Sequence, residues 1–219
     1  MIFFLKGLSY FIGLPKTIIF NFLHLPFQQA IKLPILVSRH VCLRYQGGKI
    51  ILPYAKTAMI KIGFGDIAIF DRKKSRTVWS VGGTVEFLGT ASIGHGSKIS
   101  VAGELIIGDG FRMSAESSIV AASKVVIGHG VLISWDVLIM DTDFHKVFEG
   151  ERQLNPNRTI HIGDKVWIGC RALILKGSHI PDGVVVAAAT TVSRSIDECC
   201  SIVAGSPAKV IKSDITWED

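Results

Sequence analysis

The 219-residue sequence predicts an all-β chain wound as a parallel β-helix with an apolar helical arm at its start and one protruding loop. Three observations carry this. A bulky apolar residue recurs every six positions from residue 81 onward. A small or β-branched residue keeps the same period. Glycine follows many of the apolar anchors directly.

The anchors begin with Val81, Phe87, Ile93, Ile99 and Leu105. The frame steps by two to Ile107, Met113, Ile119 and Val125, and by two again to Ile127, Ile133 and Ile139. An interruption occupies 141–160, and Ile162, Ile168, Ile174, Ile180, Val186 and Val192 resume the count. Four residues after many anchors stand Ser97, Ser117, Ser123, Val131, Val137, Val166, Ala172, Ser178, Val184 and Thr190. Gly94, Gly108, Gly128, Gly163 and Gly169 follow theirs at once. A helix demands a period near 3.6 and a meander a period of two over longer runs. A period of six fits short strands joined by tight corners, three to a triangular coil, with stacked coils sharing one core.

Residues 1–40 read as a basic, amphipathic arm. No Asp or Glu precedes Asp66, while residues 1–65 carry eight Lys or Arg. Phe4, Leu8, Phe11, Ile12, Pro15, Ile18, Ile19, Phe22 and Leu23 recur at helical spacing. The longest uncharged stretch here, 17–31, is short for a transmembrane span and contains Pro26. No basic start or small-residue cleavage site marks a signal peptide. Two readings stand: a segment lying on an anionic membrane surface, or a helix packed on its own body or on a neighbouring subunit. Basic residues interleaved with Phe and Ile, without a binding motif, argue against nucleic acid.

Residues 41–80 read as an irregular β lead-in, with strands expected at 49–52, 59–62 and 67–70 and a charged turn at 71–76. Residues 81–196 form the repeat region, with its loop at 141–160, and 197–219 a C-terminal segment. Four cysteines without a C-x-x-C pair give no disulfide framework and suit free thiols in a reducing cytoplasm. An apolar share of 48% excludes disorder as the dominant state.

The run Val166-Trp167-Ile168-Gly169, the hexads to Val192, and Ala204-Gly205-Ser206-Pro207-Ala208-Lys209 resemble the hexapeptide-repeat acyltransferases, in particular their sugar and polysaccharide O-acetyltransferases. The resemblance covers about residues 81–212. It implies a left-handed coil, a homotrimer with sites between subunits, and acetyl-CoA as co-substrate. The left hand comes from the resemblance alone, since parallel crossovers generally favour the right.

The same resemblance assigns the site. His145 matches the loop histidine that acts as general base, with one residue more before it than the family spacing. A hydroxyl is a poor nucleophile until its proton is removed, and histidine suits that task near neutral pH. Asp143 is expected to orient the imidazole or bind acceptor. Asp141, Asp143 and His145 alternate, so an extended segment would put them on one face. Asp136 and Asp141 are candidates for acceptor contact. Trp167 resembles the tryptophan lining the cleft, and a backbone N–H near Gly169–Cys170 is the candidate oxyanion donor. Ala188 and Ala189 stand where the family places small residues along the pantetheine. Arg194 and Lys209 suit the phosphates of CoA.

Other readings remain on the same residues. A donor other than acetyl-CoA, an antibiotic acceptor, and a non-catalytic scaffold all fit the fold. A zinc-dependent carbonic anhydrase is the sharpest rival, but Ser134 stands where a further histidine is needed, so no metal is expected. His95, His129, His161 and His179 read as coil positions, the first two facing solvent. The acceptor suggested by the resemblance is a sugar hydroxyl in surface-polysaccharide assembly, with the enzyme in the cytoplasm or at the inner membrane face.

Overall fold

The hexad anchors all turn inward. In a computed structural model, which describes residues 13–65, 67–71 and 75–218, every anchor from Val81 to Val192 is buried. Short strands stack into sheets of nine, seven and six strands, parallel except for the last pair of the first, and these make the three faces of the coil. One turn runs from the first face (Ala91–Ile93) through the second (Lys98–Val101) to the third (Glu104–Ile107). Phe111–Met113 then returns to the first face. One side chain in two points inward, as strand geometry requires.

Within the repeat region the coil shortens across the loop. Ser92 pairs with Arg112 and Arg112 with Leu132, whereas Trp167 pairs with Val185, so a coil after the loop is shorter by two. The additional pair in the longer coils sits at the corner between the second and third faces, in Ala102–Gly103 and Ala122–Ser123. Those corners stack backbone on backbone. A Cβ on Gly83 would lie 1.9 Å from the carbonyl oxygen of Gly103, and one on Gly103 2.0 Å from that of Ser123. The loop at 141–160 leaves the coil from this same corner, and the shorter repeat follows it.

The coil opens earlier than the hexads. Strand β1 (Ile35–Val37) starts the first face and pairs with Ile60–Ile62, while Cys42–Tyr45 pairs with Val78–Val81 on the second. Lys49–Ile51 and Ile60–Ile62 realise two of the expected lead-in strands. Residues 67–70 form a turn instead, in which the Phe70 N–H bonds the Ile67 carbonyl at 2.9 Å. The chain swings out of the coil at Gly63, whose φ of +78° few side chains tolerate, and regains it only at Val78.

The arm folds as a cap. Helix α1 (Leu14–His24) has Pro15 in its first turn, where the missing N–H costs nothing, and ends at Leu25, held extended by Pro26. A single turn, α2 (Phe27–Ala30), follows. Phe20 is buried and meets the edge of Trp79 at 5.7 Å, so one face of α1 packs on the protein's own body. Phe4, Leu8, Phe11 and Ile12 lie outside the described residues. At the opposite end, Ile202–Gly205 and Ala208–Lys212 form an antiparallel hairpin that closes the first face.

Candidate active site on the protruding loop

Asp141 is where the coil stops and the loop begins, and it faces the core. It stands one coil after Ala121, in register with inward-facing Val81, Val101 and Ala121. In the coils below, the corner N–H groups bond to carbonyls of the next coil: Gly82 and Gly83 to Val101, and Ala102 and Gly103 to Ala121. Above Ala122–Lys124 the loop has removed that next corner. The Asp141 carboxylate replaces it: Oδ1 accepts from Ala122 N–H at 2.7 Å, and Oδ2 from Ser123 and Lys124 at 2.8 and 2.7 Å. The side chain is 0% exposed. This overturns its assignment to acceptor contact, because both oxygens are engaged and no solvent reaches them.

The expected shared face of Asp141, Asp143 and His145 is also corrected. Thr142 Oγ1 accepts the Phe144 N–H at 3.0 Å, and Phe144 takes φ +60°. The segment is therefore a turn, with Asp141 inside and Asp143 and His145 exposed. Asn155, on the returning limb, ties it together. Its Nδ2 donates to Asp143 Oδ2 at 2.9 Å and to the His145 carbonyl at 2.8 Å, and its Oδ1 accepts the Val147 N–H at 2.6 Å. Lys176, from the same corner of the next coil, also binds Asp143 Oδ2. The Lys176 ammonium first, and then the Asn155 amide, hold the Asp143 carboxyl below the ordinary aspartate range. Both bonds to Asp143 fall on Oδ2, and Asn155 links that oxygen to the His145 carbonyl. Asn155 and Lys176 escaped the sequence reading, since nothing in their spacing marks them. The loop encloses a cleft of 240 Å³ lined by Thr142, Phe144, His145, Gln153, Asn155 and Asn157, among others.

The donor-side candidates lie elsewhere on the coil. Trp167 opens a strand of the first face, 38% exposed, with Nε1 donating to Ser134 Oγ at 3.2 Å. Trp217 from the C-terminal segment lies against it, ring centres 6.0 Å apart, and donates Nε1–H to the Lys165 carbonyl at 2.7 Å. Gly169–Cys170 and Ala188–Ala189 stack at the corner between the first and second faces, where Ala189 N–H bonds the Cys170 carbonyl at 2.9 Å. The Gly169 N–H is already bonded to Val186 at 2.8 Å, so it is no oxyanion donor. Its glycine serves close stacking, since a Cβ there would lie 2.7 Å from Ala188 N. Asp136 occupies this corner too, at φ +59°, with Arg171 Nε 3.8 Å away. Arg194 and Lys209 are exposed, Lys209 on the closing hairpin. Within one chain the loop leaves one corner; Trp167, Gly169–Cys170, Ala188–Ala189 and Asp136 occupy the first face and the corner after it, while Arg194 follows Thr191–Val192 onto the loop's own corner.

His95 is a further correction. It is buried rather than solvent-facing, with Ser75 Oγ 3.2 Å from its Nε2 and the His40 ring edge-on at 6.3 Å, because the excursion before Val78 folds over it. His129 accepts the Asp109 N–H at 2.9 Å, and the exposed rings of His161 and His179 lie 6.1 Å apart.

No protein-family model matches the chain. It is 32% identical over 124 residues to a polysialic acid O-acetyltransferase of Escherichia coli O1:K1, covering 56% of this chain and 38% of that one. Against WbbJ of Escherichia coli K12, named for lipopolysaccharide-biosynthesis O-acetyl transfer, identity is 31% over 142 residues, covering 59% of this chain and 72% of the relative. The chain belongs to the hexapeptide-repeat acetyltransferases. The crystal structure of NeuO, a polysialic-acid-specific acetyltransferase, superposes with a TM-score of 0.61 at 21% identity, over 84% of this chain and 79% of that one. At that identity the likeness concerns the fold, and it assigns this chain the left-handed coil. The chain spans under two-fifths of the length of the first relative and nearly three-quarters of the second.

Proposed function

We propose that this acetyltransferase moves acetyl from acetyl-CoA to a hydroxyl of a surface polysaccharide or its precursor, in the cytoplasm, with His145 as general base. One observation carries the role of the loop: Asn155 bridges the Asp143 carboxylate and the His145 carbonyl, presenting an exposed imidazole at the mouth of a polar cleft. The imidazole takes the hydroxyl proton as the oxygen attacks the thioester carbonyl carbon. The C–S bond then breaks, and the proton passes to the departing CoA sulfur. The Cys170 N–H, at a turn and outside the strand ladder, is the remaining donor of its pair for the oxyanion. Asp143 positions His145, Asp136 faces the acceptor, Trp167, Ala188 and Ala189 line the pantetheine, and Arg194 and Lys209 meet the CoA phosphates. The separation of His145 from Trp167, Ala188 and Ala189 around one coil supports a homotrimer in which a neighbour completes each site.

The test is calorimetric titration with acetyl-CoA, followed by transfer assays on a panel of bacterial polysaccharides. Saturable binding weakened by Lys209→Ala is expected. His145→Ala should bind donor normally and lose about 10²–10⁴-fold in transfer rate. Absence of donor binding by the intact protein, or full activity of His145→Ala, overturns the reading.

A further inference from the structure

Helix α1 wears its polarity in reverse. The side packed on the protein carries Thr17 and Asn21 beside Phe20, all buried. The opposite side carries Leu14, Ile18, Ile19, Phe22 and Leu23, all exposed, and Phe27 and Ile31 extend it. Ile19, Leu23, Phe27 and Ile31 keep between 60% and 68% of their surface open, and the rings of Phe22 and Phe27 meet at 6.0 Å. A surface helix ordinarily turns such residues toward its own core. A contiguous apolar face of this kind marks a contact with something else.

The charge around it names the occupant. Lys32, Arg39, Arg44, Lys49 and Lys56 are exposed on the N-terminal segment that holds the helix and the first coil, and no Asp or Glu precedes Asp66 in it. A second copy seated on this cap would set like charge against like charge. A bilayer bearing anionic headgroups takes both the apolar side chains and the basic fringe. No helix among the described residues is long and apolar enough to cross a membrane. We infer that the N-terminal cap is a docking surface for an anionic lipid bilayer, in which Ile19, Leu23, Phe27 and Ile31 sink to the headgroup boundary while the coil stands away from it. The inference is independent of the acetyl-transfer reading and fails or holds without it.

The experiment is co-sedimentation of the full chain with phosphatidylcholine vesicles, with and without phosphatidylglycerol. The comparison is with Ile19→Glu/Phe27→Glu, whose exposed positions leave the fold intact by circular dichroism and melting. Binding to phosphatidylglycerol vesicles, lowered by salt and weakened about tenfold or more in the double variant, is expected. Should that variant misfold, Leu23→Gln/Ile31→Gln replaces it with the same expectation. Equal binding by wild type and variant, or no preference for phosphatidylglycerol, overturns the inference. So does absence of vesicle binding, including the case where sedimentation velocity finds an end-to-end assembly that the variant dissociates, which assigns the patch to a second copy.

Discussion

Asn21 brackets the backbone of Ile35: its Nδ2 donates to the Ile35 carbonyl at 2.7 Å, and its Oδ1 accepts the Ile35 N–H at 3.1 Å. Thr17 does the same one step along, its Oγ1 accepting the Val37 N–H at 2.9 Å. A parallel sheet ends in a row of unpaired backbone groups that invites another strand. Here two helical side chains stand in for that strand.

Asn21→Leu keeps the branching of the side chain and removes both bonds. Ile35 is fully buried, so each backbone group left unpaired costs about 1–3 kcal/mol. A lowered melting temperature is expected, together with faster hydrogen exchange at Ile35. Exchange on the strand at Trp167 should be unchanged, since the coil transmits stability mainly between neighbouring turns. Unchanged Ile35 protection refutes this account of the cap.

Asp141→Asn tests the carboxylate that replaces a missing corner. An amide offers one acceptor oxygen in place of two, and each charge-assisted bond lost costs about 1.5–3 kcal/mol. Thermal melting should show the destabilisation. Transfer activity should fall with it, because the Arg158 N–H that returns the loop bonds the Asp141 carbonyl at 3.3 Å. A fully stable Asp141→Asn would show that the corner does not depend on the carboxylate's charge.

The Asp143 carboxyl titrates below the ordinary aspartate value because Lys176 and then Asn155 favour its charged form. Its folded pKa is therefore depressed relative to the unfolded chain. Its contribution to loop order is complete above the unfolded value, about 4, and is lost as the pH falls through the lower folded value. Carbon-detected NMR titration should find the depressed midpoint, and Lys176→Met should raise it. Ordinary midpoints in both proteins would show that the ion pair does not form in solution.

The period of six was legible because one bulky inward residue per face is a demand that every coil repeats. The corner residues were less so. Counting one coil on from Ala121 would have placed Asp141 inside, but alternation with Asp143 and His145 suggested a common face, and the turn at Phe144 broke it. The helical spacing of α1 was visible, yet spacing does not say which side faces the body. That choice rests on hydrogen bonds from Thr17 and Asn21 to β1, which only the folded chain brings beside the helix. His95 was misread because its cover comes from the excursion after Gly63, which follows no repeat. Asn155 and Lys176 are contributed by segments that meet Asp143 only after the loop closes.

The surplus pair of residues, the loop and the shortening of the coil all fall on one edge of the prism. Along that edge the chain can lengthen or shorten without moving the register of the other two corners. It works as a seam. Segments of different size can be spliced there while the stack above and below stays aligned, so the loop can be exchanged on a scaffold that never has to be repacked.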